Sequence, residues 1–116
     1  MIAIPIQKTK EILTISAVLD RAKWFAFIKD NKIEIEDKQT YTPFALKEWF
    51  FKKGVKTIVL RKITNLQYQI LREESSMKFV YAGYSRIKMD DAIHKYKNGQ
   101  LTTIDNNNYN SIIHRF

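Results

Sequence analysis

The chain has 116 residues, 45% hydrophobic and 13% aromatic, with only 3 Gly and 2 Pro; this is the composition of one globular domain and excludes a disordered chain. It contains no cysteine, which excludes disulfides, thiolate metal ligands and cysteine nucleophiles together. With 20 Lys and Arg against 12 Asp and Glu, the net charge of +8 favours anionic partners such as nucleic acid, a phosphate compound, an acidic protein or an anionic cluster; equally, it reads as a solvated basic surface that maintains solubility.

Ile2 to Ile6 forms the first expected strand. No basic region with a long apolar segment stands at the start, and nothing approaches the ~20 apolar residues that span a bilayer, so a cytoplasmic location without a membrane partner is expected. Gln7 to Lys10 is polar, and Glu11 to Ala17 reads as irregular or weakly extended. Trp24 to Ile28 and Ile33 to Ile35 are β-rich runs joined around Asp30-Asn31, residue types that tolerate the positive φ of a tight hairpin turn.

Thr42 and Pro43 then open a helix as N-cap and first helical residue. Leu46, Trp49, Phe50 and Lys53 follow at helical spacing, Lys52 and Lys53 suit the negative end of the dipole, and Gly54 fits the left-handed position beyond it. Thr57 to Leu60 is an unalternating apolar run, as a central parallel strand requires. A second helix starts at Thr64: Gln67 completes a capping box, and Ile63 is placed to staple onto Tyr68. Met77 to Tyr81 is a further strand. A third helix begins near Lys88, with Met89, Ala92, Ile93 and Tyr96 on one face, Asp90 and Asp91 in its first turn, and Gly99 as its stop.

The order β, β-hairpin, α, β, α, β, α defines an α/β domain with a mixed sheet. There is no internal repeat; a single domain is expected over residues 1–105, with a tail over 106–116 that opens at Asn106-Asn107-Asn108. In that tail Ile112, Ile113 and Phe116 are candidates to dock on a neighbour or to fold back on their own domain.

Four stretches together carry a family resemblance: "MIAIPI", "DRAKWFAFI", "KGVKTIVL" and "DAIHKYKNGQL". In their order and spacing the chain resembles the dinitrogenase iron–molybdenum cofactor biosynthesis family, the NifX-like accessory proteins and the related C-terminal domain of NifB, up to Asp105. The resemblance implies a three-layer ribonuclease-H-like fold with a five-stranded mixed sheet in the order 3-2-1-4-5 and helices on both faces. It also implies a carrier that binds the iron–molybdenum cofactor, its precursors or related iron–sulfur clusters as cargo. The functional loops depart from the family pattern. Ser16, Ala17, Val18, Leu19, Asp20, Arg21 and Ala22 stand where the family shows Ser-x-His-Phe-Gly-Arg-Ala. Arg61, Lys62, Ile63 and Thr64 stand in place of Gly-Gly-Ile-Gly. The histidine, a metal-ligating group, and the glycines, which admit a bulky ligand close to the backbone, are therefore absent.

In an open α/β sheet, ligands settle beyond the carboxyl ends of strands where the strand order reverses, which for 3-2-1-4-5 lies between strands one and four. Lys8 and Lys10 follow the first strand. Arg61 and Lys62 follow the fourth, beside the helix capped by Thr64, whose free N–H groups attract an anion, and Arg21 belongs to the loop that borders the same crevice in the family. These residues are the expected ligand-binding set, with a solvated orientation of Arg61 and Lys62 as the alternative.

Other chemistry is poorly supplied. His94 reads as a surface helix residue near Asp90, and His114 lies in the tail; no pair of histidines or carboxylate cluster has metal-ligand spacing. The first strand carries no carboxylate, and Asp30, Glu34, Glu36 and Asp37 read as the solvated face of a hairpin, which argues against a metal-dependent nuclease. No nucleophile elbow, P-loop or dinucleotide glycine pattern is present. The expectation is a non-catalytic binding protein with a basic crevice for an anionic ligand. A protein-interaction module, or a nucleic-acid binder stacking bases on aromatics such as Trp24, Tyr81 and Tyr84, is the alternative.

Overall fold

The computed structural model describes residues 1–38, 40, 42–73, 77–105 and 107–112. In chain order the elements are β1 (Ile2–Thr9), β2 (Ile12–Ile15), a single 3-10 turn (Leu19–Arg21), β3 (Trp24–Lys29), β4 (Lys32–Asp37), α1 (Pro43–Lys53), β5 (Thr57–Leu60), α2 (Asn65–Arg72), β6 (Lys78–Tyr81), α3 (Met89–Lys97), β7 (Thr102–Thr103) and α4 (Tyr109–Ile112).

One mixed sheet of seven strands runs in the order β4-β3-β1-β5-β6-β7, with β2 paired to the far half of β1. The β1–β5 and β5–β6 pairs are parallel, and the others are antiparallel. The sheet is therefore larger than the expected five strands in the order 3-2-1-4-5, and two features correct that expectation. First, β1 does not end at Ile6 but continues to Thr9, and the supposedly irregular segment after Glu11 returns antiparallel as β2, with Gln7 opposite Thr14 and Lys8 opposite Leu13. The turn places Lys10 and Glu11 at φ of 48° and 68°, the left-handed backbone of a two-residue hairpin turn, yet without the Asn or Gly that announces such turns. Second, the short edge strand β7 pairs Thr102 and Thr103 with Tyr81 and Val80.

Alternation along β1 divides the interior into two cores. Ala3 joins Phe25, Phe27, Ile58, Leu60 and Phe79 beneath Leu46 and Phe50 of α1, Tyr68 and Leu71 of α2 and Ile112 of α4. Ile4 and Ile6 join Ile15, Ala26, Ile28, Val59 and Val80 beneath Met89 and Ala92 of α3. Helices thus cover both faces. In the first core Phe25 and Phe27 meet Trp49 and Phe50 edge-on, with centroids 5.2 to 6.1 Å apart, an arrangement worth about 0.5–1.5 kcal/mol per pair beyond burial alone.

Local signals placed the helices. Thr42 accepts a hydrogen bond from the Ala45 N–H at 3.1 Å, and Gly54 closes α1 at φ 81°. Thr64 accepts from the Gln67 N–H at 3.1 Å, and Ile63 and Tyr68 are buried in the same core. The capping box is only half formed, however: the Gln67 side-chain oxygen is buried without a hydrogen-bond partner. His94 is exposed and its Nε2 lies 3.0 Å from the amide nitrogen of Asn98, so its partner is Asn98, one turn on, and not Asp90. The described part of the tail folds back on its own domain. Tyr109 packs on Tyr68 at 4.8 Å, and Ile112 enters the first core. Ile113, His114 and Phe116 lie outside the described residues. No helix among the described residues is long and apolar enough to cross a membrane.

Candidate functional site

The carboxyl ends of β1, β5 and β6 all point to one end of the sheet, and three connections meet there: residues 16–23, 61–64 and 82–88. Backbone bonds knit them. The Leu19 N–H donates to the Lys62 carbonyl (3.0 Å), Ser16 N–H to Pro5 (2.8 Å) and Ala82 N–H to Leu60 (2.8 Å). Along the free side of β2 the connection before α3 is held by the Ile15 N–H donating to Ile87 O (3.0 Å) and by a bridge between Thr14 and Lys88.

That last contact builds a site. Leu13 and Ile15 pack on the second core, so alternation sends Ile12 and Thr14 to the other side of the hairpin, toward Thr9. Thr9, Lys10, Ile12, Thr14, Arg86 and Lys88 line a pocket of about 300 Å³. Thr14 is 4% exposed, and its hydroxyl is buried without a hydrogen-bond partner. Lys88 is the N-cap of α3 and gives that helix no side-chain cap, while Asp90 and Asp91 in its first turn face the positive end of its dipole. A second pocket of about 290 Å³ lies beyond Ile12 and Lys88, where Glu11 and Asp90 take part in the lining.

The expected ligand-binding residues are distributed among several surroundings. Lys10 is at the hairpin tip and in the pocket. Lys8 does not follow β1 but lies within it, on the opposite face, lining a groove with Leu13, Trp24 and Ile35. Arg21 is exposed at the end of the 3-10 turn. Arg61 is half-buried: its guanidinium donates to the Tyr84 carbonyl and its Nε is buried without a partner. It therefore ties the 61–64 connection to 82–88. Lys62 contributes its carbonyl to Leu19, and Thr64 spends its hydroxyl capping α2. Beside this tie Tyr81 and Tyr84 meet edge-on at 5.7 Å. Burial, foremost, and the neighbouring Tyr84 phenol push the Tyr81 hydroxyl up to about 12, against the opposing pull of Arg61.

Sequence reasoning missed Arg86, Lys88, Thr14 and Thr9. The available signal was the alternation in Ser85-Arg86-Ile87-Lys88, which marks an extended segment presenting cations on one side and Ile87 on the other. Among the described residues no group of three His, Cys, Asp or Glu side chains is placed to hold a metal ion.

Fold and pocket define a class: a mixed α/β sheet covered by helices on both faces, with a cationic pocket at the carboxyl end of its strands. Solved structures share this fold. PH0822 aligns with a TM-score of 0.71 at 16% identity, over 90% of this chain and 94% of its own. A "putative NifB protein" from Thermotoga, of the DUF35 family, aligns at 0.67 and 17% over 86% and 89%. The apo form of the orange protein from Desulfovibrio gigas aligns at 0.72 and 13% over 89% and 91%. At these identities the likeness establishes the fold alone. No protein-family model and no curated protein matches the chain.

Proposed function

We propose that this chain is a non-catalytic carrier that holds an anionic ligand in the pocket between the β1–β2 hairpin and the segment before α3. The donor set carries the reading: Lys10, Arg86 and Lys88 line the same pocket as Thr14, whose buried hydroxyl has no partner among the described residues. A hydroxyl left unsatisfied in this way costs about 1–3 kcal/mol; its oxygen is closed to solvent, so a ligand offsets that cost by drawing the Thr14 side chain round toward the pocket and accepting its hydrogen bond. The walls are largely the aliphatic stems of the cations and Ile12, which strip water from whatever enters. Strongly hydrated anions such as sulfate lose more on entry than large, diffuse ones. The favoured cargo is therefore a metal–sulfur anion of the iron–molybdenum or iron–sulfur kind. A NifB-like protein and the orange protein among the structural neighbours are consistent with that choice.

The test is calorimetric titration, under anaerobic conditions, with tetrathiomolybdate, molybdate, sulfate and phosphate. Tetrathiomolybdate is expected to bind most tightly. The double variant R86A/K88A should lose ~1–3 kcal/mol for each charge-assisted bond removed. Equal or absent binding of all four anions, or an unaltered affinity in the double variant, would refute the reading.

A further inference from the structure

The exposed edge of the sheet at β4 carries an inference independent of the anion pocket. Among the described residues β4 has a partner on one side only, β3. Five of its six residues are exposed, including Ile33 at 45% and Ile35 at 46%. A strand with a bare edge and alternating isoleucines is a template for another strand. Nothing in Lys32-Ile33-Glu34-Ile35-Glu36 blunts it with proline or a bulge.

The existing ladder fixes which groups that edge offers. Lys38 N–H donates to the Lys23 carbonyl at 2.8 Å, so the even positions of this strand bond inward to β3. Hydrogen-bonded and open pairs alternate in an antiparallel ladder. The N–H and C=O groups of Ile33 and Ile35 therefore point outward. The same two residues place their side chains on the face of the second core, beside the groove of about 480 Å³ formed by Ile6, Lys8, Glu11, Leu13, Trp24 and Ile35.

We propose that β4 pairs antiparallel with β4 of a second copy of this chain, about a two-fold axis at Glu34. In that register Ile33 stands opposite Ile35 of the other copy, twice, each pair exchanging backbone hydrogen bonds through the outward groups. On the other face Lys32 stands opposite Glu36, twice. Charge and apolar pairing favour this register: an axis at Ile35 sets Glu34 against Glu36 twice and Lys32 against Lys38 twice, and an axis at Ile33 sets Asp30 against Glu36 twice and Asn31 against Ile35. Glu36 already binds Lys53, so each contact becomes a three-charge cluster of Lys32, Glu36 and Lys53. The axis leaves one unfavourable element, Glu34 opposite its own copy. It keeps the association weak and provides a specific handle on it.

Sedimentation equilibrium of the full chain from about 1 to about 300 µM is the experiment, since a small edge contact belongs in the weak class. A monomer–dimer equilibrium is expected. I35K, at a half-exposed position that the fold tolerates, should raise the dissociation constant at least ~30-fold by placing a charge in both isoleucine pairs. E34Q, which removes the central repulsion, should lower it ~2- to 5-fold. Near-ultraviolet circular dichroism of both variants verifies that each keeps the native packing. A monomer throughout the range, a dimer indifferent to I35K, or a dimer not tightened by E34Q would each overturn the proposal, the last by excluding this register.

Discussion

Replacing Thr14 with valine separates the stability of this protein from its proposed function. Thr14 is 4% exposed in β2, and its hydroxyl has no hydrogen-bond partner. Valine keeps the β-branched shape and the strand preference while deleting the orphaned oxygen. A buried hydroxyl without a partner costs about 1–3 kcal/mol, so the ligand-free variant should gain ~1–2 kcal/mol. For a domain of this size that raises the midpoint of thermal unfolding by about 4–8 °C. Affinity should move the other way. A hydrogen bond from the hydroxyl to an anion is worth ~1.5–3 kcal/mol, so tetrathiomolybdate binding should weaken about tenfold or more. Calorimetric unfolding and titration of the same samples measure both quantities. A variant less stable than the parent would show that the hydroxyl is already satisfied. A more stable variant with unchanged affinity would remove Thr14 from the ligand's surroundings and undermine the pocket assignment.

Further outcomes follow from individual residues. In an alkaline absorbance titration the difference between the parent and Y81F should show one phenol ionising near pH 12. Because that folded value is raised above the ordinary phenol value of 10.0, the contribution of Tyr81 to stability is intact below pH 10 and lost as pH climbs to about 12. A difference already complete near pH 10 would contradict the burial assigned to it. Glu11→Gly should stabilise the protein by ~0.5–1 kcal/mol in denaturant unfolding, since Glu11 sits at φ 68°, where a side chain is strained and glycine is not. Ile112→Ala should destabilise by ~2–4 kcal/mol, because Ile112 is 7% exposed in the first core. A negligible effect would mean that α4 is not docked.

The elements that the sequence determined by itself are those whose signals are local. The β3–β4 turn followed from Asp30-Asn31, and Asp30 takes a φ of 51°. Helix α1 followed from Thr42, Pro43 and Gly54, and the start of α2 from Thr64 with its staple, because a cap acts over three or four residues. The apolar run of β5 announced a buried central strand, and β5 lies at the middle of the sheet. Tertiary structure decided the rest. Lys10 and Glu11 adopt left-handed backbone without the residues that favour it, because pairing of Ile12–Ile15 with β1 and burial of Ile15 outweigh a turn strain of ~1–2 kcal/mol per residue. The same holds for the site. Arg61 was readable as a cation after a buried strand, but only the approach of Tyr84 turned it into a tie between two loops. Lys10 and Thr14 come from one segment of the chain, Arg86 and Lys88 from another far along it. They share a pocket because Ile15 bonds to Ile87 and Thr14 bridges Lys88, and contacts between such distant segments leave no periodicity in the sequence from which to read them.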